Sequence, residues 1–79
     1  MTHNYDVLKE VIDSINLSYN HSLTTSTKDH HENIKFIVIN RIFGVKCVAM
    51  NLLSQKECDK FFEYVKGFDI YKKNPEDHK

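Results

Sequence analysis

One proline, two glycines, two cysteines and a single alanine occur among the 79 residues, and no apolar run is long. So little Pro and Gly beside 41% apolar residues excludes collagen-like and heavily disordered chains. Two cysteines do not make a disulfide framework, which points to a reducing cytosol and a cytoplasmic protein. No stretch approaches the roughly 18–20 apolar residues of a membrane span. The first ten residues are polar and mixed in charge, so no signal peptide is expected. Charge of one sign is also missing. Eleven basic and eleven acidic side chains cancel, which argues against strong non-specific nucleic-acid binding. Also absent are a Gly-rich phosphate loop, a nucleophile elbow and a spaced metal motif, so the chain is expected not to be an enzyme and to carry no cofactor.

What is present is a single small domain, expected over residues 1–73 with a flexible tail at 74–79. A chain of this size buries only about 60–65% of its unfolded surface, so one core is marginal. Ten lysines stand against one arginine, Asn and Ile are frequent, and Ala is nearly missing. That usage is typical of AT-rich coding DNA, as in low-GC bacteria and their phages and mobile elements. Charge is polarised along the chain. Residues 1–33 hold two lysines and five acids, whereas residues 34–79 hold nine bases and six acids. Between 34 and 51 stand Lys35, Arg41 and Lys46 and no acid.

Val7, Leu8, Val11, Ile12 and Ile15 form the stripe of an amphipathic helix over residues 4–18, extended by Tyr5 and Tyr19. Thr2 or Asn4 can cap its start. The Ser/Thr-rich stretch near 21–27 reads as a short edge strand or a loop, with residues 29–33 as its turn. Residues 34–40 are dominated by β-branched side chains and read as a central strand, followed by a second apolar strand at 45–50. Asn40 to Gly44 then supplies a hairpin. Ser54 and Glu57 form a capping box, with Leu53 and Cys58 as a hydrophobic staple. Cys58, Phe61, Phe62 and Val65 line the buried side of the helix that follows. Gly67 would end that helix in a left-handed conformation, with Phe68 folding back. Residues 68–73 read as a further short strand or as a segment lying across the sheet.

The expected fold is therefore α+β: a small single domain, α-β-β-β-α or α-β-β-α, with two helices packed on one face of an antiparallel sheet. Ile37 and Ile39 would then point away from the helices. Their face must be covered by residues 68–73, by a second copy in a homodimer, or by a partner. If the hairpin tip is at 41–44, Arg41, Ile42 and Phe43 project together, a composition suited to a binding hot spot. The other phenylalanines read as core, and Tyr64 and Tyr71 as half-exposed neighbours of such a site.

Three functions follow as expectations. The first is a small non-enzymatic regulator or inhibitor, phage- or mobile-element-encoded, that binds another protein through Arg41, Ile42, Phe43, Ile37 and Ile39. The second is a nucleic-acid-binding module using Lys35, Arg41, Lys46, Lys56 and Lys60. The order α-β-β-β-α resembles that of double-stranded-RNA-binding domains in topology and length. The resemblance implies that the last helix presents Lys56 and Lys60 to phosphates. The third is a small His-dependent nuclease or metal-binding protein built on His30, His31 and Glu32, with His21 and Asp29 nearby. Cys47 and Cys58 read as buried thiols acting as small hydrophobes.

Overall fold

Ile34, Val38, Ile42, Val45 and Ala49 recur at intervals of four, four, three and four residues, the period of a helix. The chain uses that period. In the computed structural model, which describes residues 3–71, three helices form a bundle: α1 (His3–Thr25), α2 (His31–Leu52) and α3 (Gln55–Lys66). Single 3-10 turns occupy Lys28–His30 and Asp69–Tyr71. There is no strand among the described residues. The α+β reading is thus overturned. The two expected strands at 34–40 and 45–50, and the hairpin between them, are one continuous helix.

The reason lies in the size of the competing effects. β-branched residues cost a helix only a few tenths of a kcal/mol each, about 0.7 at most. Val38, Ile42 and Ala49 are buried on one side of α2, with Ile34 and Val45 packed partly against the same core. Burying a side chain of this kind is worth about 1.5–3 kcal/mol, so packing outweighs local preference. The sheet reading took the apolar residues on the other side of α2 as evidence for a second buried face. They lie on the outside of a helix instead.

Helix α1 runs past its expected end at 18 through the Ser/Thr stretch. There the hydroxyls of Thr24 and Thr25 donate to the His21 carbonyl at 2.7 and 3.1 Å. Both hydroxyls bond back to a carbonyl of the preceding turn, so they are satisfied within a helix where a strand was expected. Asn4 lies inside α1 and is not its cap, and Thr2 falls outside the described residues. The turn to α2 is short. His31 opens α2 and its Nε2 donates to the Leu23 carbonyl of α1 at 3.1 Å, tying the two helices at their junction.

The start of α3 is as expected. The Glu57 backbone N–H donates to Ser54 Oγ and the Ser54 N–H donates to Glu57 Oε1, both at 3.2 Å. Helix α3 then runs antiparallel to α2 and parallel to α1. Cys58 meets Ala49, Lys60 lies over Tyr5, and further along Tyr64 reaches Asp13. Phe61 and Val65 are fully buried, Cys58 nearly so, and Phe62 only in part. Gly67 corrects the sequence reading: its φ of −76° and ψ of −8° are right-handed. Phe68 does fold back, edge-on to Tyr64 with ring centroids 5.3 Å apart. The strand expected at 68–73 is a 3-10 turn as far as Tyr71. Residues 72–73 and the tail expected at 74–79 lie outside the described residues.

The core is one cluster. It runs from Tyr5, Leu8, Ile12 and Tyr19 of α1 through Val38, Ile42 and Ala49 of α2. Leu53, Cys58, Phe61, Val65, Phe68 and Ile70 complete it.

Candidate functional site

A helix turns about 100° per residue, so the buried side of α2 fixes what lies opposite. Taking Val38, Ile42, Val45 and Ala49 as the inner line, the outer line carries Phe36, Asn40, Phe43, Cys47 and Met50. Ile37, Gly44, Val48 and Asn51 stand beside it. Over roughly 160° of this outer surface there is no charged side chain. Phe36 is 69% exposed, Phe43 64% and Met50 58%, and Ile37 and Val48 are close to half-exposed. Phe36, Phe43 and Met50 are spaced by seven residues, so they stack along one edge at intervals of about 10 Å.

Lys35, Arg41 and Lys46 border this face, and no acid stands between Asn33 and Lys56. The outer face of α2 therefore carries Asn40, Cys47 and Asn51 along its middle, an apolar row of Phe36, Phe43 and Met50 on one side, Ile37 and Val48 on the other, and basic rims. Lys46 is drawn inward, its Nζ 5.8 Å from the ring centre of Phe62 and 5.1 Å from that of Tyr71. Arg41 is exposed on the opposite rim.

The expected protein-binding residues divide. Phe43 and Ile37 share the outer face and Arg41 borders it. Ile42 is fully buried in the core, and Ile39 packs partly against it. Ile42 is thus a core residue that no partner can touch, and there is no hairpin tip. Phe36, expected in the core, is among the most exposed large apolar side chains. Sequence reasoning also missed Met50, Val48 and Gly44. The signal was available in the seven-residue repeat of Phe36, Phe43 and Met50, which has meaning only once the segment is a helix.

The basic set is dispersed. Lys35 and Lys46 lie on one rim of α2, and Arg41 lies about 120–140° around the helix. Lys60 is over the Tyr5 ring at 5.5 Å, and Lys56 is exposed on α3. Without a sheet, the topology behind the resemblance to double-stranded-RNA-binding domains is absent from this fold.

The histidines do not converge. His21 is near the end of α1, His30 is in the 3-10 turn, and the ring of His31 is bound to the Leu23 carbonyl. No group of three or more His, Cys, Asp or Glu among the described residues is placed to hold a metal ion. Cys58 is buried and its Sγ donates to the Ala49 carbonyl at 3.3 Å; Cys47 is half-buried and its thiol is free.

Three tyrosines hold their protons above the usual range. The Tyr64 hydroxyl donates to the Asp13 carboxylate, which raises its pKa, with burial adding to the effect. Burial raises Tyr71. Burial likewise raises Tyr19, helped by the Glu32 and Asp69 carboxylates. These groups join the helices to each other and do not face the outer side of α2.

No helix among the described residues is long and apolar enough to cross a membrane. No known protein family model, curated protein or solved structure matches this chain.

Proposed function

We propose that this chain is a small non-enzymatic regulator or inhibitor that acts by binding protein through the outer face of α2. The observation that carries the reading is the uncharged apolar surface of Phe36, Ile37, Phe43, Val48 and Met50. Together these five side chains expose roughly 600 Å², in two rows on either side of Asn40 and Asn51. Nothing within the fold requires it. The inner side of α2 already supplies the core, and polar residues outside would serve the bundle equally well. Phe and Met anchors with a basic rim have the composition of an interface centre.

Affinity capture with the wild-type chain and with Phe43→Ala as baits tests this. Phe43 is well exposed, so the variant keeps its fold. Proteins retained by the wild type and lost by the variant are the expected result. Identical capture by the two, together with identical self-association, overturns the reading.

A further inference from the structure

The geometry points to a second copy of this chain as the occupant of the outer α2 face, the two α2 helices crossing at Gly44. The inference rests on the protein-binding reading and names what the face takes.

Three observations carry it. The first is charge. Two identical faces bearing charge of one sign repel when pressed together, and the outer face of α2 carries none across its middle. The second is area. Full cover of the five apolar side chains, roughly 600 Å² in each copy, gives about 1,200 Å² in total, the lower bound of a specific, stable interface, with the Asn40 and Asn51 amides enclosed between the two rows. A two-fold axis uses the same patch twice, so one face suffices.

The third is Gly44 itself. Glycine in a helix interior is destabilising relative to alanine. Gly44 has no positive φ that would require glycine. A Cβ built on it meets nothing within 4 Å, so no neighbour inside the bundle needs the space either. The glycine lies near the middle of α2 and on its outer face, between the Phe43 side and the Ile37–Val48 side. An external backbone approaching closely there gives it a purpose. With Gly44 at the crossing, Phe43 and Val48 of each helix flank the backbone of the other.

The rims meet as like charges, since Lys35, Arg41 and Lys46 border both copies. Self-association is therefore expected to tighten as salt screens them. A contact with an acidic partner would weaken under the same change.

Sedimentation equilibrium on the full chain, at low and at moderate salt, tests the inference. Phe43→Glu and Phe36→Glu are measured beside the wild type, and circular dichroism checks that both remain helical. Twice the 9.3 kDa chain mass is expected for the wild type at tens of micromolar. In the glutamate variants, association should weaken on the order of 100-fold, because each substitution enters the contact twice. A wild type that stays monomeric overturns the dimer. The protein-binding reading then stands or falls separately, on whether Phe43→Ala loses captured proteins. A dimer that the helical glutamate variants form equally well overturns the outer α2 face as its seam.

Discussion

The ring of Phe61 on α3 meets the ring of Tyr5 on α1 edge-on, with centroids 6.2 Å apart and planes at 79°. Phe61 is fully buried and Tyr5 nearly so, and through them the last helix closes over the first. Such ring pairs add about 0.5–1.5 kcal/mol beyond the area they bury. Truncating a buried phenylalanine costs about 3–5 kcal/mol. The whole stability expected of a chain this size is of the order of 5 kcal/mol. Phe61→Ala should therefore leave the chain largely unfolded at 37 °C, seen as loss of helical circular dichroism and of a cooperative thermal transition. A variant that melts within a few degrees of the wild type would show that α3 contributes little to the bundle.

Ser54 works at one defined place. Its hydroxyl satisfies the Glu57 N–H, while its own N–H is taken by the Glu57 carboxylate. Ser54→Ala removes the first bond and keeps the backbone, for a cost of about 1 kcal/mol. In a domain of this length that lowers the melting temperature by about 4–8 °C. Ser54→Asp should restore most of the loss, because the cap needs a side-chain acceptor and not specifically a hydroxyl.

High pH should loosen the bundle. Tyr19, Tyr64 and Tyr71 each bind the phenolic proton more tightly folded than unfolded. Their contribution is complete below the unfolded value of about 10 and is lost as pH rises through the higher folded values. The urea midpoint should fall between neutral pH and about pH 11. Tyr64→Phe removes the phenol that donates to Asp13, so its midpoint should fall less over the same range. Equal slopes for wild type and variant would show that the Tyr64–Asp13 bond does not persist in solution.

Gly67 should accept a side chain. A glycine ending a helix in the left-handed conformation would resist substitution, but here the backbone is right-handed. A Cβ at this position comes no closer than 3.4 Å, to the Tyr64 carbonyl oxygen. Gly67→Ala should change stability by less than about 0.5 kcal/mol in chemical denaturation. A loss of several times that would place Gly67 in the left-handed region after all.

How much of this was legible in the sequence depends on whether a segment's two sides differ. Helix α1 was readable because Leu8, Ile12 and Ile15 face acids and lysine around the helix. The start of α3 was readable because Ser54 and Glu57 carry a cap in side-chain chemistry alone. Helix α2 was not. With Val38 and Ile42 inside and Phe36 and Phe43 outside, its periodicity is flattened, and the β-branched residues then favour a strand. The feature that hid the helix is also the candidate site. An apolar outer face looks like a second buried sheet face until the backbone is known. Ile42 was misplaced for the same reason, since on a helix its neighbour Phe43 stands about 100° away, far enough to leave the core that encloses Ile42. The Ser/Thr stretch failed differently. Thr24 and Thr25 favour strands on average, and here they lie in the last turn of a helix with their hydroxyls bonded back to His21.

Gly44→Ala separates the stability of one chain from the association of two. Within the bundle the added methyl meets nothing, and alanine is the better helix former. At concentrations where the chain is monomeric, the variant should be more stable by about 0.5–1 kcal/mol in urea denaturation. At a helix crossing the same methyl holds two backbones apart, so self-association should weaken in sedimentation equilibrium while the fold gains. The opposite signs are informative because a general effect on folding moves both quantities together. If the variant is more stable and associates as well as the wild type, α2 helices do not cross at Gly44. If it is less stable at monomer concentrations, the space around Gly44 is already used inside the bundle, and the glycine has an internal reason to be there.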